Sequence, residues 1–344
     1  MYDRHTRMLG FHDNKVALSS TERKEMRDRR DTNRTRLKSG LVRDEEPAPV
    51  GCHTQGSYAM RTMVQHAEKD YDVDDGVYFN KSDLVGPKGG DKMPADAKEM
   101  VRKAVHSDKF KKSPEVRTNC VRVFYDQGYH VDIPVYRRTK NDDSTYNYEL
   151  AGSVWKASDP LAVTKWFRKE NKNQSPDLIN SGQLCRITKL MKAFARSRES
   201  WRSQIATGFM MSKLVTEEYW SNATREDTSL RDTMRAIRNR LNWNLEVDHP
   251  VLDEKLTKGA DDSRSRVLRE KLDWALEQLA VLDNWDCTEK QANKAWDTVF
   301  NTTYFTDSAA LNAEAVTSAA ILQSGSLVDA AAAAVDRQGG GRYG

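Results

Sequence analysis

Two aspartates one residue apart, Asp72 and Asp74 in the stretch 71–79 (YDVDDGVYF), have the chemistry to hold a hard divalent cation. On a strand, alternate side chains share a face, so both carboxylates project from one side and Val73 from the other. Carboxylates that close repel one another and lose solvation unless a cation lies between them. An all-oxygen set suits Mg²⁺, with Mn²⁺ as a substitute. A third acid, Asp132 in 130–136 (HVDIPVY), is flanked by apolar residues on an expected strand, where an isolated carboxylate is costly. If that strand lies beside the first, the three acids can hold two ions. Such a pair activates an attacking hydroxyl and steadies a leaving pyrophosphate. Upstream, Gln55-Gly56-Ser57 offers a turn without a Cβ obstacle, exposed backbone N–H groups and a hydroxyl, the parts needed to hold a triphosphate. A D-x-D pair alone is common and is more often a solvated loop edge; Gly-Ser, then D-x-D, then an Asp inside an apolar strand is far more specific.

The elements that must position these residues follow from patterning. Short β-rich runs at 71–80, 119–125 and 129–136 are expected to be strands, the last two joined by the turn Asp126-Gln127-Gly128. A Gly/Pro/Lys loop at 83–94 precedes an expected helix over 95–108. Beyond about residue 150 the text turns helical: Leu184, Ile187, Met191 and Phe194 recur at spacings of three and four, and 225–242 and 264–282 read similarly. Near the front, 20–38 carries eight basic and four acidic side chains without Gly or Pro, with Ser20 or Thr21 as N-cap. It is either a solvated helix face or a basic surface that meets nucleic acid or phosphate. The expected fold class is α+β. The expected organisation is an N-terminal helix plus catalytic core over 1–150, a helical domain over 151–322 and a flexible tail over 323–344 that ends in Gly344.

Composition sets bounds. The chain has 344 residues, with 55 Lys+Arg against 51 Asp+Glu for a formal charge of +4, 38% hydrophobic residues and a mean hydropathy of -0.79. That is room for one large domain or two packed ones. No apolar run approaches membrane-spanning length and 1–15 has no secretory apolar region, so a cytoplasmic location is expected and no membrane partner. Cys52, Cys120, Cys185 and Cys287 form no C-x-x-C pair, which points to neither zinc nor disulfides. His53, His66, His106 and His130 lack H-x-x-x-H spacing, Ser57 lacks the second glycine of a nucleophile elbow, and no P-loop motif occurs. Trp155, Trp166, Trp201, Trp220 and Trp243 are expected in the core rather than as base-stacking platforms.

Taken together, QGSYAMRT, DYDVDDGVYF and HVDIPVYR resemble the catalytic core of the nucleotidyltransferase superfamily, and within it the bacterial CD-NTases, the cGAS/DncV-like enzymes of antiphage CBASS systems. The resemblance covers most of the chain and is most specific over 51–140. It implies a polymerase-β-like core with a packed helical domain. The implied activity is synthesis of a cyclic di- or trinucleotide from ATP and a second NTP, GTP by preference, in which Mg²⁺ is bound by the catalytic Asp72, Asp74 and Asp132. It carries donor-phosphate contacts over to Gln55, Gly56 and Ser57, and the family's lysine after the core to Lys192. Thr207, in Ala206-Thr207-Gly208, matches a downstream hydroxyl that helps hold that phosphate. Asp75 is expected to be structural. Read from the residues alone, Lys189, Lys192 and Arg196 share a helix face distinct from the apolar stripe, open either to a triphosphate or to solvent. The C-terminal Gly344 resembles the terminus that an E1/E2-like CBASS partner conjugates, the alternative being an uninformative tail. A downstream effector would read the cyclic product, and nucleic-acid binding is not required. The rival readings are a terminal nucleotidyltransferase acting on RNA and a non-catalytic nucleotide-binding protein of the same fold.

Overall fold

In the computed structural model, which describes residues 1–65, 71–125 and 128–307, a mixed sheet carries the acidic residues. His66, the turn residues Asp126 and Gln127, and all of 308–344, with the tail and Gly344, lie outside the described residues. The strands are β1 (Gly51–Thr54), β2 (Asp72–Asn80), β3 (Glu115–Val116), β4 (Val121–Phe124), β5 (His130–Ile133), β6 (Val135–Lys140), β7 (Tyr146–Ala151) and β8 (Trp155–Ala157). β2 is central: β1 runs antiparallel to it, while β5 and β6 both run parallel to it. The register is the same in both parallel pairings (Asp72 opposite His130, Val77 opposite Val135). The expected single run 129–136 is therefore two strands in one line, interrupted at Pro134, which has no N–H to donate. Its carbonyl still accepts from the Val77 N–H at 2.9 Å. β4 pairs antiparallel with β5, as a hairpin requires.

One face of the sheet is closed by α4 (Pro94–Val105), with Pro94 at its first turn. Its Ala97, Met100, Val101 and Ala104 pack on Val77, Phe79, Val121, Val131, Ile133 and Val135. Beside it lies α2 (Ser20–Arg43), whose N-cap is Ser19 rather than Ser20 or Thr21. The reason is Glu22: three residues after Ser19 it completes a capping box, its N–H donating to Ser19 Oγ at 3.1 Å and its carboxylate accepting from the Ser19 N–H at 3.0 Å. Only a thin stripe of α2 is buried, namely Met26, Asn33, Leu37, Gly40 and Leu41. Gly40 lets α2 touch α4, since a Cβ there would fall 2.0 Å from the Ala104 carbonyl oxygen. Gly40→Ala is accordingly expected to destabilise the fold by about 1–3 kcal/mol, as overpacking does, read as a lower urea midpoint with an unchanged m-value.

The second half is helical: α5 (Pro160–Gln174), α6 (Gln183–Arg196), the short α7 (Glu199–Arg202), α8 (Gly208–Glu218), α9 (Glu226–Trp243), α10 (Ser263–Leu279) and α11 (Glu289–Phe300). Leu184, Ile187, Met191 and Phe194 of α6 are fully buried, as their spacing predicts. α1 (His5–Phe11), from the front of the chain, packs with the helical half: its Met8 and Phe11 join that core with Ile187, Leu230 and Phe305. Two tryptophans expected inside are outside, Trp220 at 61% exposure and Trp243 at 92%; Trp296 of α11 fills the core instead. Among the described residues, no helix is long and apolar enough to cross a membrane.

Candidate active site

Strand register brings the three acids together. Asp74 stands opposite Asp132 in the parallel β2–β5 pair, and one carboxylate oxygen from each of Asp72, Asp74 and Asp132 lies within 4.8 Å of the others. Asp72 is open to the cleft, Asp74 is partly covered and Asp132 is buried. Desolvation by the surrounding protein raises the Asp74 carboxyl well above its ordinary range, and the charges of Asp72 and Asp132 push it further. The same two causes, burial first and then Asp132, raise Asp72. The cluster is thus a pocket of confined negative charge, the condition a cation relieves. Partial relief comes from within the chain: Arg122 on β4 grips Asp132 through two hydrogen bonds of 2.7 Å each. Asp75, by contrast, is buried on the opposite face, held by Arg34 at 2.5 and 2.7 Å and by the Thr54 hydroxyl at 3.1 Å. It ties β2 to α2, in line with the structural role expected for it.

The phosphate cradle is set against this cluster. Gln55 precedes α3 (Gly56–Ala59), and its backbone N–H donates to the Asp74 carbonyl at 2.9 Å. Gly56 has φ +64°, and a Cβ there would lie 2.2 Å from Asp74 Oδ2. Only glycine lets the turn and the carboxylate occupy adjacent positions. The Gln55 amide is buried, donating to the Tyr136 hydroxyl at 2.8 Å and accepting from the Tyr78 hydroxyl at 3.3 Å. Its side chain thereby fixes the floor of the cleft, while Ser57 lies at the edge.

A cleft of about 490 Å³ joins these parts to the helical half. Gln55, Gly56, Ser57, Asp72, Asp74, Asp132 and Lys192 all line it, and so does Arg196. The basic face of α6 is therefore split. Lys192 is buried with its ammonium donating to the Thr62 hydroxyl at 2.8 Å, whereas Lys189 turns away to within 3.3 Å of His12 Nε2. Neither lysine is on a solvated helix face. Burial, together with Arg196, pushes Lys192 down to about 7, so a phosphate would draw it into its charged form. The Thr207 hydroxyl caps α8 by accepting from the Met210 N–H at 3.2 Å; the residues after it, Gly208 and Phe209, line the cleft.

Sequence reading passed over Arg122, although a signal was present. Arg122 and Asp132 are equidistant from Gln127, so a hairpin centred there pairs them. Phe209 and His249, which also line the cleft, gave no comparable signal, because His249 arrives from a loop far along the chain.

Residues 50–136 match the family model of the nucleotidyltransferase domain of cyclic GMP-AMP synthase DncV-like proteins. The chain is similar in fold to Vibrio cholerae DncV cyclic AMP-GMP synthase, described as a prokaryotic cGAS homolog. The TM-score is 0.70 at 15% identity, over 90% of this chain and 98% of that one. The same enzyme with the linear intermediate 5' pppA(3',5')pG gives a TM-score of 0.68 at 15% identity, over 88% and 98%. Escherichia coli DncV in its 3'-deoxy GTP bound form gives 0.65 at 17%, over 85% and 93%. The matched segment holds Gly56, Asp72, Asp74 and Asp132, and at these identities the likeness to solved structures is one of fold. The resemblance to DncV-like nucleotidyltransferases is borne out over residues 50–136, and the α+β class with its packed helical half by the likeness in fold.

Proposed function

We propose that this chain is a divalent-metal-dependent nucleotidyltransferase that makes a cyclic di- or trinucleotide from ATP and a second NTP, with GTP preferred and 3',3'-cyclic GMP-AMP as the expected product, in CBASS antiphage defence. The observation that carries the reading is the meeting of three carboxylates, a glycine-serine turn and a buried lysine in one cleft. Its volume falls within the range of small-molecule sites. Further support comes from the solved DncV structures that hold ATP and GTP or a linear intermediate.

Asp72, Asp74 and Asp132 fit Mg²⁺ or Mn²⁺: the donors are all oxygen, close together, and electrostatically frustrated without a cation. Bound there, such ions would polarise the α-phosphate and neutralise the leaving pyrophosphate. The chain supplies the rest. Gly56 and Ser57 hold donor phosphate oxygens by backbone N–H and hydroxyl. Lys192 and Arg196 offset triphosphate charge from the helical side, and Thr207 can donate its hydroxyl proton while its oxygen caps α8. Asp132 orients the ribose hydroxyl that attacks and accepts its proton, and Arg122 holds that carboxylate in place through paired hydrogen bonds. One site would act twice, first linearly and then to close the ring. Gly344 would be the point at which an E1/E2-like partner joins the chain to targets, and an effector would respond to the product.

Incubation with ATP and GTP in Mg²⁺, then phosphatase treatment and mass spectrometry, tests this directly. A phosphatase-resistant cyclic dinucleotide is the expected outcome. Extension of added RNA would point to a terminal transferase, and absence of any product to a binding protein.

A further inference from the structure

His249 lines the same cleft as the acids, and its hydrogen bonding fixes what it can offer. The backbone N–H groups of Val251 and Leu252 both donate to its Nδ1, at 3.2 and 3.0 Å. A nitrogen that accepts two hydrogen bonds carries no proton, so the neutral ring carries its proton on Nε2. Burial holds the imidazole below its ordinary titration range, which keeps it neutral. Nε2 has no partner among the described residues and is not sealed off, so a defined N–H donor is presented in this cleft.

The loop that carries the ring is anchored at both ends. The His249 N–H donates to the Glu254 carbonyl at 2.8 Å, and Asp248 bridges to Lys255. The Glu254 carboxylate is in turn tied to Lys156 on β8 at 2.9 Å, which clips the loop to the sheet. Beside the imidazole stands Phe209, edge to face with centroids 5.4 Å apart, and Val163, Pro160 and Leu150 continue the apolar lining. Gly208, just before Phe209, lies against the Lys192 side chain. The cleft therefore combines basic side chains suited to phosphate with an apolar, partly aromatic lining suited to a base, and one fixed donor within that lining.

From this arrangement, and resting on the nucleotidyltransferase reading above, we propose that His249 is a base-reading residue: its Nε2–H donates to a keto oxygen and so selects 6-oxopurine over 6-aminopurine nucleotides in one of the two nucleotide positions. An amino group in the same place would set donor against donor and leave both unpaired, the situation in which polar sites reject analogues most strongly.

The test compares inosine triphosphate with ATP, which differ at this edge alone. Calorimetric titration of the full chain with each nucleotide should show a preference for inosine triphosphate of roughly 10- to 100-fold, the range one good base contact supplies. His249→Asn keeps a side-chain oxygen to accept the loop N–H groups but loses the ring donor. It is expected to bring the two affinities within about twofold of each other, at an unchanged melting temperature. His249→Gln places an amide N–H near the Nε2 position and should restore the preference. Equal binding of both nucleotides by the wild type, or an undiminished preference in His249→Asn, overturns the proposal. These binding results stand apart from turnover: a chain that discriminates but makes no product refutes the catalytic reading, whereas a chain that makes product with the same base ratio in His249→Asn refutes only the role of His249.

Discussion

Asp74→Asn is expected to abolish product formation while making the metal-free protein more stable. The activity loss should be on the order of 10³-fold or more, because removing one carboxylate from a metal-holding cluster forfeits several kcal/mol of transition-state charge stabilisation. The stability gain has a definite sign. The folded pKa of Asp74 lies above its unfolded value, through desolvation first and the neighbouring charges of Asp72 and Asp132 second. Below the unfolded value, near 4, both states are protonated and the group contributes nothing. As pH rises from there through the raised folded value, the unfolded chain ionises first and the folded state is progressively penalised. Asparagine removes that penalty. In divalent-free buffer the variant should melt above the wild type, by a margin that grows from pH 4 towards neutrality. Each kcal/mol recovered corresponds to roughly 2–4 °C. Adding Mg²⁺ or Mn²⁺ should then raise the wild-type melting temperature by mass action and leave the variant nearly unmoved. Scanning calorimetry with and without the ion, together with the nucleotide assay, reads all of this. A variant that melts lower than the wild type in chelator at neutral pH, or retains activity, would remove the account of the cluster.

Gly56→Ala is the second large effect, and its cause is steric. The position has φ +64°, a conformation that costs a residue with a Cβ about 1–2 kcal/mol. The new methyl would also lie 2.2 Å from Asp74 Oδ2, so the carboxylate must move or the turn must open. Either shift misplaces a phosphate contact and a metal ligand together. A displacement of this size at a reacting centre is worth about 10²-fold in rate, and kcat/KM is expected to fall at least that far. The expected stability loss is the modest one set by the backbone, about 1–2 kcal/mol. A large activity loss beside a small shift in urea midpoint separates this from general unfolding. Gly40→Ala provides the contrast: it strains the packing of α2 on α4 away from the cleft, and stability rather than rate should carry the cost.

The residues themselves settled what is local. Strand alternation has a period of two, so Asp72 and Asp74 had to share a face and Asp75 had to point away, wherever the strand lay. The apolar rhythm of Leu184, Ile187, Met191 and Phe194 likewise fixed the buried side of α6, and the Gly-Ser pair marked a turn that tolerates no side chain. Tertiary structure decided everything that depends on distant partners. Asp132 meets Asp74 because β5 pairs in parallel register with β2. Lys192 and Lys189 part company because α6 is covered on nearly every side, one lysine by Thr62 at the cleft and the other by His12 behind it. His249 becomes a one-way donor only because its own loop folds back on Nδ1. The physical reason is range: periodicity and sterics act within a few residues, whereas burial, register and tautomer are fixed by atoms that the chain brings in from far away.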